Sequence, residues 1–434
     1  MAFCELRFLS STRKWGGRAS KARLTWHCAA LMSGLKLLKA PNMSLSQGRA
    51  YLAIPGPSVM PEAVLRAMHR ASPNIYEGEL HDLTDSLVPD LKDIAMTDGN
   101  VAIYIGNGHA AWEAALANVI SAGDTVLVLA TGRFCIGWGE MAEGLGAHVE
   151  TIDYGAQAPI DLAQVEEVLA RDKEGRIKAV LAVHVDTSTS VKNDIAGLRS
   201  VMDRVGHPAL LMADCIASLG CDRFEMDAWG VDVMVSACQK GLMTPAGVSF
   251  VWFNDKANAA QGDRVTRYWD WRPRVNPEMY FQYFDGTAPT HHLYGLRTAI
   301  DLIKAEGLNN VFARHEKLAQ VIWAAFDGWA AQGPMRLNIA DPACRSHAVT
   351  SVSIGSPHGD ALREWCEQQC GLTLGIGLGR DPADAYFRIG HMGHVNAHMI
   401  MGVLGTIDAG LKALDIPHGD GALAAAAQAL AARA

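Results

Sequence analysis

The chain has 434 residues, enough for two or three domains, and its 49% hydrophobic and 19% charged residues provide for a large core and exclude global disorder. The net charge of −8 excludes a dominant basic surface for nucleic acid and favours a small-molecule protein. No apolar run reaches the roughly 18 residues of a membrane span, so no membrane partner is expected.

Residues 1–42 hold eight basic residues and a single acid, Glu5, which leaves −15 on the remainder. This Arg-rich, acid-poor stretch has the composition of an organellar transit segment, but the preferred reading is that Met43, which opens directly into the folded pattern, is the true start; the stretch is expected to be disordered. Residues 43–65 read as an N-terminal arm, 66–325 as a large domain and 326–434 as a smaller C-terminal one. From Asn100 onward, apolar runs alternate with helix-length segments. Val101–Ile105, Thr125–Ala130, Lys178–Val183, Pro208–Ala213, Val231–Ser236 and Val248–Phe253 read as strands. Ala110–Ile120, Ile136–Gly146 and Asp194–Val205 read as helices between them. Near-continuous apolar strands with helical crossovers predict an α/β fold whose mostly parallel sheet is buried on both faces. Residues 262–290, rich in Arg, Trp, Tyr and Pro, show no period and predict an irregular connection, and 295–330 reads as one helix. A second α+β unit follows: strand Ala348–Ile354, helix Asp360–Cys370, strand Ala385–Ile389 and helix Ala397–Leu411. The Ala-rich tail 422–431 predicts a surface helix. Nine scattered cysteines, with no CxxC pair and no signal peptide, read as reduced thiols in the cytoplasm, or in the mitochondrion if the basic extension is real.

In such a sheet, ligands sit outside the carboxyl ends of the strands. Gly106-Asn-Gly-His-Ala-Ala111 follows a strand and opens a helix, where free backbone N–H groups bind phosphate and glycine permits close approach. A plain turn without a ligand fits the same string. So does the GxGxxA dinucleotide pattern, but the nearest acid, Asp124, precedes the next strand and falls on the wrong edge of the sheet. Asp214 stands at the carboxyl end of an apolar strand, as an N-cap or as a functional anion. Lys240 follows another buried strand in neutral surroundings, where partial desolvation lowers an amine pKa and suits Schiff-base chemistry. Phosphate loop, carboxylate and lysine in this order, each at a strand's carboxyl end, are what pyridoxal 5'-phosphate needs for its phosphate, ring nitrogen and aldehyde.

The sequence also resembles the class V (fold type I) aminotransferases, in their serine–glyoxylate and alanine–glyoxylate branch, from about Tyr51 to its end. The resemblance rests on Ile54-Pro-Gly-Pro-Ser58, Gly106-Asn-Gly-His-Ala-Ala-Trp-Glu113, His184-Val-Asp-Thr-Ser188, Cys238-Gln-Lys-Gly-Leu-Met243, Tyr294-Gly-Leu-Arg297 and Arg388-Ile-Gly-His-Met-Gly393. It implies a seven-stranded type of sheet and transamination between serine or alanine and glyoxylate or pyruvate. Lys240 would bond to the cofactor aldehyde and later move the proton, and Asp214 would pair with the ring nitrogen. Gly108, His109 and Gln239 would hold the phosphate, Phe134 would stack on the ring, and Thr187 would donate to the phenolic oxygen. Arg388 would grip the substrate α-carboxylate, with Pro57, Ser58 and Tyr76 near the substrate. Thr287 matches a residue that reaches the phosphate of a neighbouring subunit, which implies a homodimer with shared sites.

The sequence departs from that pattern at several points. Ile75-Tyr76-Glu77 stands where relatives carry a His-Arg-Ser-like segment, Gly286 where they often place a tyrosine, Ser190 in place of a glycine, and Asp186 in place of a glutamate. Tyr76, Asp186 and the stretch Ala130–Gly139 resemble instead a sister group, pyridoxamine–pyruvate aminotransferase, which takes free pyridoxamine as substrate. Asn107 favours a phosphate, since a carboxylate there would repel one. A non-catalytic sensor that binds the same cofactor is the alternative of another class, but residues 1–42 lack a helix-turn-helix pattern. No metal is expected: of His391, His394 and His398, only the last two have helical i, i+4 spacing.

Overall fold

The computed structural model describes residues 45–260 and 262–432; the expectations for residues 1–42 and for a start at Met43 lie outside them. Among the described residues twelve strands run in chain order: β1 (Tyr51–Ala53), β2 (Asn100–Gly106), β3 (Thr125–Ala130), β4 (His148–Asp153), β5 (Ile177–Val183), β6 (Leu210–Asp214), β7 (Val233–Ala237), β8 (Gly247–Phe253), β9 (Arg336–Leu337), β10 (Val349–Ser353), β11 (Leu372–Ile376) and β12 (Tyr386–Gly390). Seven of them form one sheet in the order β2-β8-β7-β6-β5-β3-β4. The pairs from β7 through to β4 are parallel, and β8 lies antiparallel between β2 and β7.

Every residue of β3, β6 and β7 is buried, as a sheet covered on both faces requires. Successive side chains of β3 enter different cores. Leu127 and Leu129 join Leu87, Val165 and Leu296 on one face, while Val126 and Val128 join Trp112 and Trp138 on the other. β4 has no apolar run to betray it. It is one of the sheet's two edge strands, β2 being the other, with His148, Glu150 and Asp153 exposed, and charge on an edge discourages further pairing.

The expected helix over 295–330 is two helices, Thr290–Glu306 and Leu308–Ala330, broken at Gly307, whose φ of 84° no helix accommodates. The irregular stretch before them contains a short helix, Arg272–Val275, and a 3₁₀ turn, Tyr280–Tyr283. The buried Arg274 organises that stretch by donating to the carbonyls of Ile103, Tyr268 and Tyr283. A second sheet runs β1-β11-β12-β10-β9. Its first strand comes from the N-terminal arm and pairs in parallel with β11, so Tyr51–Ala53 sits beside residues more than three hundred positions away. The tail helix, Ala422–Ala431, buries Ala422 and Ala426 against a core that includes Phe326 and Trp329. Alanine lets it lie close to Gly328, where any side chain would meet Ala422 Cα at 2.8 Å. No described helix is long and apolar enough to cross a membrane.

Candidate active site

Because β3, β5, β6 and β7 run the same way, their carboxyl ends share one edge, and β2, two antiparallel steps from β7, ends there too. The loops leaving that edge enclose a cavity of about 230 Å³. It brings together Gly108, His109, Phe134, Thr187, Asp214, Gln239 and Lys240, with Pro57 on its wall.

Asp214, the last residue of β6, is 2% exposed. Its Oδ1 accepts the Ile216 N–H at 2.7 Å, and its Oδ2 accepts the Trp112 indole N–H at 2.9 Å. Burial raises its carboxyl pKa to about 7 despite these donors, and the nearby Asp186 adds to the rise. Asp214 is therefore a buried acid without a full ionic partner, suited to a cationic ring N–H. Lys240 sits in the turn after β7. Burial and the Arg388 charge lower its amine to about 8. Its Nζ donates to the Pro55 carbonyl, and a side chain at Gly56 would meet Lys240 Cδ and Nζ at 2.5 Å. Ser58 reinforces this grip: its N–H donates to the Gln239 carbonyl at 2.9 Å, and its hydroxyl to the Lys240 carbonyl at 2.6 Å. The hydroxyl expected near the substrate thus holds the lysine backbone.

The helix Gly108–Val119 starts at the cavity, which its cap Asn107 and its first residues Gly108 and His109 line. Asn107 caps it, its Oδ1 accepting the N–H groups of His109 at 3.1 Å and Ala110 at 3.4 Å. Gln239 Oε1 is buried there without a partner. Phe134 walls one side, its ring 6.2 Å from that of Trp112. Arg388, on β12, is 6% exposed, and burial lowers its guanidinium pKa to about 10. It lies behind the lining, where its Nη1 donates to the Thr187 carbonyl and its Nε to the Ile376 carbonyl, each at 2.7 Å. Arg133, beside Phe134, is exposed and lies along Gly379.

Four predicted residues do not line this chain's own cavity: the Ser58 hydroxyl is turned to the Lys240 carbonyl, Arg388 lies behind the lining, Tyr76 is 85% exposed, and Thr287 is exposed beyond Gly286. Sequence reasoning missed the roles of Trp112, four residues into the glycine-opened helix, and of the Pro55 carbonyl. The first could have been sought as an indole one turn from the phosphate loop; a backbone acceptor carries no sequence signal. His391 is buried with Nε2 2.9 Å from Thr350 Oγ1, and among the described residues no group of three His, Cys, Asp or Glu side chains could hold a metal ion. A buried acid, a buried amine, an aromatic wall and a capped helix start lining one cavity suit a flat heteroaromatic ring that carries an anion.

Residues 50–388 match the family model described as Aminotransferase class-V. The serine–glyoxylate aminotransferase of Hyphomicrobium methylovorum is 37% identical over 390 residues, which cover 87% of this chain and 93% of that one. Among solved structures, the alanine–glyoxylate aminotransferase of Nostoc sp. superposes with a TM-score of 0.76 at 27% identity, over 87% of this chain and 98% of that one. The pyridoxamine–pyruvate aminotransferase of Mesorhizobium loti superposes at 0.80 with 23% identity, over 90% and 98%, a likeness of fold.

Proposed function

The chain belongs to the class V aminotransferases, and we propose that it moves an amino group between serine or alanine and glyoxylate or pyruvate, using pyridoxal 5'-phosphate held at Lys240. The observation that carries this reading is the single cavity shared by a buried carboxylate, a pKa-lowered lysine and a helix start. The residues fit the cofactor on their own chemistry: Asp214, buried on the cavity wall, lacks a full counter-charge and suits a protonated ring nitrogen. When bound, pyridoxal phosphate supplies the aldehyde that takes up the amino group and the ring that accepts electron density from the carbon losing its proton.

The chain's own residues do the rest. Asp214 holds the ring nitrogen protonated. Gly108, His109 and Gln239 would hold the phosphate at the helix start, and Phe134 would stack on the ring. Thr187 donates its hydroxyl to the phenolic oxygen. The Lys240 amine, lowered to about 8, is neutral in a useful fraction near neutral pH and takes the proton from the substrate carbon at Nζ. Arg388 fixes the α-carboxylate with the edge of its fork that the Thr187 and Ile376 carbonyls leave over. The exposure of Thr287 supports its assignment to the site of a neighbouring copy in a homodimer. Residues 66–325 serve as the cofactor-binding part and 326–434 as the part that brings Arg388.

One observation favours the second reading, transamination of free pyridoxamine with pyruvate: the Asn107 cap engages the His109 and Ala110 N–H groups that a phosphate would use. A half-reaction panel separates the readings. Protein loaded with pyridoxal phosphate is given serine, alanine and other donors singly while the cofactor absorbance is followed; cofactor-free protein is then given pyridoxamine and pyruvate. The lead reading expects rapid conversion by serine or alanine. Turnover only in the second assay overturns it, and tight cofactor binding without turnover in either points to a sensor.

A further inference from the structure

One buried acid near the site has no part in the reaction as described. Asp186, in the loop after β5, is wholly buried, and both its oxygens are engaged. Oδ2 accepts the Phe134 N–H at 3.0 Å, at the start of the helix Arg133–Gly144. Oδ1 accepts the Ser188 N–H at 2.8 Å and the Ser188 hydroxyl at 2.5 Å. That hydroxyl oxygen also accepts the Arg133 N–H at 3.3 Å. The next residue, Thr187, accepts from Arg388 through its carbonyl. A carboxylate that arrives from another loop thus occupies the helix start that would otherwise carry its own capping side chain. The residue at that cap position is Gly132, where a Cβ would lie 2.5 and 2.6 Å from the two Asp186 oxygens. The missing side chain makes room for the acid.

We propose that Asp186 is a positioning residue that ties three walls of the active site to one point: the ring-stacking Phe134, the Thr187 donor and the carboxylate-binding Arg388. The proposal rests on the pyridoxal phosphate reading of the cavity. The three walls come from three chain segments: the end of β3, the end of β5, and β12. Asp186 bonds the first directly, precedes the second in the chain, and through the Thr187 carbonyl sets the third. Its charge also acts on both functional ions: it supports the protonated form of Arg388 and opposes ionisation of Asp214. An ordinary helix cap would stabilise the helix and leave substrate and cofactor affinity alone.

Asp186→Asn keeps the volume and removes the charge. Both its former contacts at the backbone are N–H donors, so the amide nitrogen must face one of them, and that wall loosens. Gly132→Ala tests the same tether with Asp186 itself unchanged, by pressing a methyl against the carboxylate. Both variants are compared with the parent for the dissociation constant of pyridoxal phosphate, for the visible circular dichroism of the bound cofactor, and for KM and kcat of the amino donor. The expected result in each is at least a tenfold weaker cofactor dissociation constant, a reduced visible dichroic band, and a donor KM that rises by a larger factor than kcat falls. Thermal unfolding of the cofactor-free proteins reports on folding; if Asp186→Asn does not fold, Gly132→Ala decides. Parent-like cofactor affinity, dichroism and KM in a folded variant, with only a lowered unfolding temperature, would reduce Asp186 to a structural cap. Failure of the parent to bind pyridoxal phosphate would instead overturn the reading of the cavity itself.

Discussion

Replacing Asp214 by asparagine keeps the side-chain shape and removes the charge. Burial lifts the Asp214 carboxyl from its ordinary 3.8 to about 7. A displacement of about three pH units, at roughly 1.4 kcal/mol each, means that ionising this group costs the cofactor-free protein about 4 kcal/mol. Between the two values the folded state keeps a proton that the unfolded chain has lost. Stability therefore falls as pH rises through that window, and the cost is complete above about 7. Asparagine does not titrate. It leaves either the Ile216 N–H or the Trp112 indole N–H facing an amide NH₂, a penalty of about 1–3 kcal/mol at every pH. From pH 5 to pH 8 the stability difference should therefore move toward the variant by about 3 kcal/mol, and at pH 8 the cofactor-free variant should equal or exceed the parent. Urea unfolding of both cofactor-free proteins at several pH values measures this; groups not coupled to Asp214 cancel in the difference, and Lys240, whose amine the Asp214 charge raises, is the coupled one near this range. Activity should move the opposite way: with the cofactor loaded, transamination should slow by at least ~100-fold, the scale of a general electrostatic contribution. Parallel stability curves from pH 5 to 8 would refute the burial argument, and a near-normal kcat and KM would refute the pairing with the ring nitrogen.

Three further outcomes are expected. Borohydride treatment of the loaded protein should leave the cofactor bonded to Lys240; Lys240→Ala should take no label and lose roughly 10²–10⁴-fold in turnover, so that parent-level turnover in this variant would remove Lys240 from the mechanism. Gly56→Ala places a methyl 2.5 Å from Lys240 Cδ and Nζ at a residue whose φ is 95°, and should weaken cofactor capture by the equivalent of about 1–3 kcal/mol, read as the dissociation constant of pyridoxal phosphate; unchanged affinity contradicts the close approach. Arg388→Lys cannot keep both carbonyl bonds while gripping a carboxylate and should raise the KM of amino donor and oxo acid by about 10–100-fold, more than it lowers kcat; equal KM values would place carboxylate recognition elsewhere.

Much of the site was legible in the sequence because its parts obey local rules. Apolar runs such as Thr125–Ala130 mark strands buried on both faces, and in a parallel sheet the residues following such strands meet at one edge. Asp214, Lys240 and the Gly106–Ala111 turn could therefore be placed together from chain order alone. The resemblance of short motifs added Phe134, Thr187, Gln239 and Arg388. Strand β4 was not legible, since its residues alternate with exposed polar and charged side chains and give no continuous apolar run, nor was β1, three residues whose partner lies more than three hundred positions on. Tertiary structure alone decided that β8 enters antiparallel between β2 and β7. It also decided that Trp112 donates to Asp214, that Asp186 reaches Phe134, and that Arg388 bonds Thr187 across 201 positions of sequence. Hydrophobic period and turn chemistry act over a few residues, and so the sequence carries them openly. Which buried acceptor meets which donor depends on how distant elements pack, and that is settled only in the folded chain, where most desolvated polar groups find partners far away in sequence.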